Sequence, residues 1–276
     1  MIVDFHVHST ASDGTCTPSE LAEKAKGFAA IALTDHDNCD GLDGWDGVAG
    51  IELSIEPGKG FDKFHLLGLG IDPKNARLKK LLVSILAGRN ERNLRILANF
   101  HRLGIEMTDV ETYAHGEVLA RPHFARWLVD HGYATGMKEA FAKYLLPDSP
   151  IETRCYEERW HPPQEEAFRA IHEAGGICVM AHPKYWRNDW KTTGCDFTAA
   201  ERELAVLKER GLDGVETLYQ ANTNEENIAF TRIATKLGYL KTAGSDFHGA
   251  NKPTIPLGME VSENFIAPVL ERLDMI

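Results

Sequence analysis

The chain has 276 residues, 43% of them hydrophobic, with 30 Lys and Arg against 41 Asp and Glu and a formal net charge of -11. That length supports one large domain or a domain carrying an insertion. No apolar run approaches the roughly 20 residues that span a bilayer, and the acidic balance disfavours extended contact with a nucleic acid. The first residues lack the basic region and apolar run of a secretory signal, so a cytoplasmic address is expected. Five cysteines (Cys16, Cys39, Cys155, Cys178, Cys195) are odd in number and form no Cys-x-x-Cys pair. They argue against a disulfide framework and a thiolate zinc site and are read as reduced. If the substrate carries phosphate, bound cations must supply the local attraction.

In chain order, Ile2, Val3, Phe5 and Val7 give a buried first strand, with His6 and His8 two positions apart. A strand repeats every two residues, so both imidazoles leave one face, a common opening of a metal site. Ser12-Asp13-Gly14 then permits a turn that folds the Asp13 carboxylate back over that face. Thr17, Pro18 and Glu20 mark the start of a helix running to about Lys26. The short strand from Ala29 to Leu33 ends in Thr34-Asp35-His36-Asp37. Glu52 is a carboxylate in an otherwise apolar strand, Ile51 to Ser54, and a buried Glu needs a counter-charge or a metal. The turn at Pro57 to Gly60 leads into Phe64 to Gly70, pairing as a hairpin, with His65 its one polar residue.

From Asn75 to about Pro163 the sequence turns helix-periodic, with helices expected at Ala76 to Leu103, Pro122 to His131 and Met137 to Leu146. This stretch, 75–163, reads as a helical insertion over one end of a β/α core made of 1–74 and 164–276. Alternation resumes with a helix from Gln164 to Ala174 and a strand from Ile177 to Ala181 that ends in His182-Pro183. A helix opened by a capping box at Thr198 to Glu201 precedes a strand from Gly214 to Leu218. Another, opened at Thr223 to Glu226, precedes a strand from Tyr239 to Ala243. That strand ends in Gly244-Ser245-Asp246-Phe247-His248. Alternation of this kind predicts a parallel sheet, open or closed into a barrel. Ligand-binding side chains gather at the carboxyl ends of such strands, where His6, His8, His36, Glu52, His65, His182, Asp246 and His248 all fall.

The series Asp4-Phe5-His6-Val7-His8, Ser12-Asp13-Gly14, Thr34-Asp35-His36-Asp37, Ala181-His182-Pro183 and Gly244-Ser245-Asp246-Phe247-His248 resembles the motifs of the PHP (polymerase and histidinol phosphatase) superfamily. It is most similar to the branch of metal-dependent phosphoesterases that includes nucleoside 3',5'-bisphosphate phosphatases. Ala120 to Arg126 and Tyr144-Leu145 resemble that branch's insertion. The resemblance implies an α/β fold, a distorted (β/α)7 barrel, and two to three divalent ions, manganese first with iron or zinc as alternatives. His6, His8 and Asp246 would hold one ion, with Glu52 bridging to a second. His65 and His182 would complete the second, and Asp13, His36 and His248 would hold a third. Asp13, His36, His182, Asp246 and His248 would carry the chemistry, in which a water activated between two ions attacks phosphorus in line.

Arg121 and His123 align with residues that touch a substrate phosphate in that branch, with Lys143 a weaker candidate. His123 is also a candidate leaving-group acid. Lys184 keeps a basic group after His182-Pro183, where the branch has Gly-Arg-Tyr. Asp4, Asp35 and Asp37 are expected to orient ligand imidazoles. His101, His115, His131, His161 and His172 are read as structural, and Trp127, Tyr144, Tyr156 and Trp160 first as insertion core. Between Asp37 and Gly50 the chain is shorter than the branch, which leaves Glu56 as a competitor to Glu52. The expected substrate is a small phosphorylated molecule, a nucleotide first, with short oligonucleotides possible. Rival readings are cyclic ribose phosphate cleavage, digestion of oligonucleotide ends and histidinol phosphate hydrolysis. C–N hydrolysis and a non-catalytic PHP-like module are further removed.

Overall fold

A computed structural model describes residues 1–58, 61–114, 118–187 and 189–275. His115 and the Lys59-Gly60 half of the expected turn lie outside the described residues. The strands are β1 (Ile2–Val7), β2 (Ala30–Leu33), β3 (Val48–Ile55), β4 (Phe64–Leu69), β5 (Ile177–Met180), β6 (Gly214–Tyr219), β7 (Leu240–Gly244) and β8 (Met259–Glu260). They form one sheet in the order β7-β6-β5-β4-β3-β2-β1-β8. β1, β2 and β3 pair in parallel, as do β5, β6 and β7, while β4 runs antiparallel to both neighbours. The β3–β4 hairpin therefore breaks an otherwise alternating β/α winding.

The sheet curls until its ends nearly meet. The Asp246 N–H donates to the His6 carbonyl (2.9 Å), and the His8 N–H to the Phe247 carbonyl (3.0 Å). The start of β1 is covered instead by β8, which pairs Ile2 with Glu260 and Val3 with Met259. Asp4, fully buried, pins this seam. It accepts from the N–H groups of His6 (3.2 Å), Ser245 (2.9 Å) and Gly258 (2.8 Å) and from the Ser245 hydroxyl (2.6 Å). Burial pushes its carboxyl up to about 6, against those hydrogen bonds. Asp4 thus joins the two halves of the barrel and touches no imidazole, contrary to the role expected for it.

The helices are α1 (Pro18–Lys24), α2 (Ala76–Arg102), α3 (Arg121–Asp130), α4 (Met137–Ala140), α5 (Gln164–Glu173), α6 (Trp190–Thr193), α7 (Phe197–Glu209), α8 (Asn224–Lys236) and α9 (Glu263–Arg272). The capping boxes at Thr17 and Thr223 form as expected. The one expected at Thr198 does not, because Asp196 lies two residues earlier and accepts from the N–H groups of Thr198 and Ala199 (3.0 Å each). The four-residue α4 runs into a single wide turn at Phe141–Leu145. A 3-10 turn at Asp40–Leu42 occupies the short link after β2.

Packing follows strand periodicity. Ile51, Leu53 and Ile55 of β3 join Phe168 and Ile171 of α5 in one apolar cluster, which leaves Glu52 on the opposite face of the strand. Leu78, Leu81 and Ile85 from the first turns of α2 enter the same cluster. Farther along, Ile96 and Phe100 join Phe124, Trp127, Leu128, Tyr144 and Leu145 in a separate cluster. Residues between Ile96 and Cys155 therefore share an apolar cluster of their own, with α2 contributing to both clusters.

Removing the Asp4 carboxylate leaves the N–H groups of His6 and Ser245, both buried, and of half-buried Gly258 without their acceptor. Asp4→Ala is expected to cost about 3 kcal/mol of stability, read as a lower urea midpoint. A loss below about 1 kcal/mol would show that the seam does not depend on this residue.

Candidate metal centre

The site residues arrive from every part of the barrel. His6 is on β1 and His8 follows it. Asp13 lies on the loop after β1, His36 beyond β2, Glu52 on β3 and His65 at the start of β4. His182 follows β5, and Asp246 and His248 follow β7. Because β4 is reversed, its beginning lies beside the carboxyl ends of the others, which places His65 with the rest.

Glu52 is 1% exposed, and five imidazoles converge on its carboxylate. Its Oε2 lies 3.3 Å from His6 Nε2, 3.1 Å from His8 Nε2 and 3.0 Å from His36 Nδ1. Its Oε1 lies 2.8 Å from His65 Nδ1 and 3.1 Å from His182 Nε2. Glu56, the sequence competitor, is exposed beside Lys63 (3.5 Å). Asp246 Oδ1 faces His6 Nε2 (3.7 Å), His8 Nε2 (3.5 Å) and His248 Nδ1 (3.3 Å). Asp13 Oδ1 faces His248 Nε2 (3.3 Å), His8 Nδ1 (3.9 Å) and His36 Nε2 (3.9 Å). All nine residues singled out as ligands meet in one place.

The backbone is bent to achieve this. His182 has φ 27° and Asp246 φ 59°, in the left-handed region that branched side chains rarely occupy. Gly244 has no room for a side chain: a Cβ there would stand 2.1 Å from Glu216 Oε1 and 2.5 Å from His6 Cβ. At Gly14 a Cβ would lie 2.2 Å from the His8 carbonyl oxygen, so only glycine lets the Asp13 loop close on the end of β1.

The electrostatics are those of a preassembled nest of donors. Burial alone would raise the Glu52 carboxyl, yet His36 and His6 hold it well below the usual range. Burial acts likewise on Asp13 and Asp246, with His36 and His248 pulling the first down and His6 the second. Burial would depress His6, but Glu52 and Glu216 carry it well above the ordinary value. His36 is also raised, by Glu52 and Asp13 against burial, whereas burial prevails at His65. Four buried atoms, His6 Nε2, His8 Nε2, His36 Nδ1 and Glu52 Oε2, lack a hydrogen-bond partner among the described residues. They point at one another, an arrangement that hydrogen bonding leaves unsatisfied and that a divalent cation would complete. The donor set fits such an ion.

The groups that hold the donors differ from expectation. Asp35 accepts from the Ser9 N–H (2.8 Å), the Ser9 hydroxyl (2.7 Å) and the Ser12 hydroxyl (2.6 Å), so it shapes the Asp13 loop and orients no imidazole directly. Asp37 is taken by Arg89 and Arg159. The carboxylate that does orient an imidazole is Glu216, on β6, which the sequence reading missed. Its Oε1 is 3.0 Å from His6 Nδ1, and its Oε2 accepts the His182 N–H (2.6 Å). Asp246 Oδ2 accepts from the Tyr219 hydroxyl (3.0 Å) and the Lys252 ammonium (2.6 Å).

The expected substrate contacts divide. His123 is buried at the start of α3, and its Nδ1 accepts the Ala120 N–H (3.0 Å), so the ring proton sits on Nε2. It shares with Ser12 and Gly14 the wall of a cavity of about 530 Å³ between barrel and insertion. Arg121 lies over the Tyr156 ring (5.3 Å), with a long hydrogen bond to the Leu145 carbonyl (3.4 Å). Lys143 lies over Tyr144 (4.9 Å). Lys184 is bound to the Ala221 carbonyl and Glu226 (2.8 Å each), which commits its ammonium to the N-terminal region of α8. His131 stacks on Trp127, His161 lies 3.3 Å from the Ser54 carbonyl, His101 pairs with Glu106 and His172 with Asp213, all away from the nest.

The PHP domain profile matches residues 4–91. The chain is 34% identical over 260 residues to a 3',5'-nucleoside bisphosphate phosphatase of Chromobacterium violaceum, covering 89% of this chain and 87% of that one. It is 32% identical over 260 residues to a 5'-3' exoribonuclease of Haemophilus influenzae, covering 89% of each. A solved structure from Bifidobacterium adolescentis, assigned as a metal-dependent phosphoesterase, superposes with a TM-score of 0.81 at 27% identity, covering 98% of this chain and 96% of that one. With nine imidazole and carboxylate donors gathered at one end of a nearly closed barrel, the chain belongs to the PHP family and is a metal-dependent phosphoesterase.

Proposed function

We propose that the protein hydrolyses a terminal phosphate ester of a small nucleotide, a nucleoside 3',5'-bisphosphate first among candidates, using two or three divalent ions. The observation that carries this reading is the convergence of five imidazoles on the buried Glu52 carboxylate. His6, His8 and Asp246 would hold one ion, Glu52, His65 and His182 a second, and Asp13, His36 and His248 a third. Mixed imidazole and carboxylate donors without thiolate suit manganese, with iron or zinc as alternatives. Bound there, the ions supply an activated water and positive charge against the phosphoryl oxygens.

The chain's own groups do the rest. Glu216 fixes the His6 ring and the backbone of His182, so neither donor swings away. Tyr219 and Lys252 occupy Asp246 Oδ2 and leave Oδ1 toward His6 and His8. His123 presents its Nε2 proton to a phosphate or leaving oxygen, and Arg121 grips the phosphate. The insertion, residues 75–163, acts as the wall that holds the substrate against the centre and limits water. Lys184 has no part in this, because Glu226 and Ala221 already engage it. The exoribonuclease similarity favours one second reading, removal of nucleotides from a short 5'-phosphorylated oligoribonucleotide.

Chelator-treated protein is expected to be inert and to regain activity with manganese. Assayed side by side, a nucleoside 3',5'-bisphosphate should outrank a cyclic ribose phosphate, a short oligoribonucleotide and histidinol phosphate. Turnover of histidinol phosphate alone would overturn the assignment. Glu52→Gln should lower kcat by about 100-fold or more, while Glu56→Gln stays near wild type; the reverse ranking would transfer the bridging role. Glu216→Gln should weaken metal affinity by about 10–100-fold, measured by competition with a chromophoric chelator. Because His6 and His36 are raised above the ordinary imidazole value in the metal-free protein, metal uptake must displace their protons, so affinity should rise with pH and go on rising above neutrality.

A further inference from the structure

On the side of the nest made by His182 and Asp246, one aromatic ring stands in the open. The turn after β5 divides its side chains between two environments. Trp186 is buried in the apolar cluster shared by β3 and α5, edge to face with Phe64 (6.1 Å between ring centroids). Tyr185, one residue earlier, is 42% exposed. It closes the 3-10 turn Pro183–Tyr185, and its N–H donates to the His182 carbonyl (3.0 Å). The buried indole and that hydrogen bond together leave the turn, and the ring it carries, little freedom to swing.

The Tyr185 ring lies against the donors. Its centroid is 5.8 Å from the His182 ring and 6.0 Å from the Tyr219 ring, which meets it edge to face. The Tyr219 hydroxyl donates to Asp246 Oδ2 (3.0 Å), so Tyr185 borders one metal-donor residue directly and a second through Tyr219. Lys184 lies over the Tyr185 ring (5.6 Å), its ammonium held in place by the Ala221 carbonyl and Glu226. Two other large aromatic side chains are exposed among the described residues, and neither shares this position. Tyr133 stacks on Trp127 within the insertion (5.8 Å), and Trp160 backs onto Gly88 of α2. Where the branch has Gly-Arg-Tyr after His182-Pro183, this chain has Lys184-Tyr185-Trp186, so a ring stands in the place of a guanidinium.

A single exposed aromatic needs no function, and it is the location of this one that is informative. A phosphate ester seated at the nest brings the rest of its molecule over the surrounding rim. A tyrosine held rigidly at that rim presents a large apolar face at little entropic cost, which is what a planar base stacks upon.

We propose that Tyr185 is the platform on which the base of the substrate stacks, so that the enzyme takes phosphate esters carrying a planar aromatic group ahead of those of bare sugars. This rests on the nucleotide reading of the adjoining nest and adds to it a residue that recognises the unphosphorylated part of the substrate. Tyr185 is then a specificity residue, acting through its ring and moving no proton.

Two measurements test it, each comparing adenosine 3',5'-bisphosphate with its base-free counterpart, 1,4-anhydroribitol 3,5-bisphosphate. In the first, the manganese-loaded enzyme is assayed on both. Wild type should show a KM lower for the adenosine compound by about 10-fold or more. Tyr185→Phe should keep that preference, and Tyr185→Ser should reduce it to about 2-fold or less. Tyr185→Leu, which keeps bulk against Tyr219 without an aromatic face, should behave as Tyr185→Ser does and serves if that variant does not fold. In the second, the two compounds are titrated calorimetrically into chelator-treated protein, where no turnover intervenes, and the ratio of Kd values should follow the same order. Equal KM values in wild type, or a Tyr185→Ser protein that keeps the preference, would overturn the platform. So would a Tyr185→Phe protein that loses it, since the hydroxyl and not the ring would then be the contact. If the loaded enzyme hydrolyses neither compound while the calorimetric preference still depends on the Tyr185 ring, the platform stands and the nucleotide phosphatase reading falls.

Discussion

A carboxylate as deeply buried as Glu52 is the constraint around which this barrel is arranged. An ionised group removed from water must be compensated by its surroundings, and here the compensation comes from five imidazoles on four separate segments, from His6 near the start of the chain to His182 beyond β5. The segments of Glu52, His65 and His182 are neighbours in the sheet, while those of His6, His8 and His36 come from the other side of it. What binds them is the shared requirement of one anion, and the same geometry leaves imidazole nitrogens aimed at a common point with nothing to hydrogen-bond. Folding stability and cation binding are therefore in tension at this site: the imidazolium–carboxylate network of the metal-free protein must give up protons to become a ligand set.

Such a site survives only if its backbone cannot relax. The seam held by Asp4 fixes where β1 ends relative to the Asp246 segment, and so fixes His6 and His8 against Asp246. Glu216 on β6 performs the corresponding service, binding the His6 ring on β1 and the backbone N–H of His182 just past β5. Left-handed backbone at His182 and Asp246, and the absence of space beside Gly244, record how closely the segments crowd. Strain of this kind is tolerated where surrounding contacts over-determine the conformation, and both strained residues are donors in the nest.

How far the sequence revealed this depends on the kind of signal each residue emits. His6 and His8 announce themselves through two-residue periodicity, and His36, His182, Asp246 and His248 through their position just past apolar strands. These are local patterns, and the fold keeps them. Glu52 was legible because a carboxylate interrupts an apolar strand, and by the same sign Glu216, set between Val215 and Thr217 on β6, could have been found. Asp4, Asp35 and Asp37 were assigned to imidazoles, which they neighbour in sequence, yet their side chains meet backbone, hydroxyls and arginines instead. β8, two residues long, and α9, with Pro268 inside it, carry too little periodicity to register. Arg89 of α2 and Arg159 from the segment before α5 meet on Asp37, a juxtaposition that no spacing along the chain encodes.

That juxtaposition resolves an apparent contradiction in the composition. A chain of net charge -11 should repel a phosphorylated substrate at long range, and screening confines that repulsion to about a Debye length, roughly 8 Å at physiological salt. Attraction then has to be built locally and shielded from water, where each charge counts for more. Arg92, Arg89 and Arg159 are buried, as is the nest beside them, so their fields are not averaged away by solvent. Asp37, which follows His36 directly, is already committed to two guanidiniums. In a protein of the proposed function, an acidic chain with a cationic interior would favour small phosphorylated molecules over long polyanions, by the placement of its charges alone.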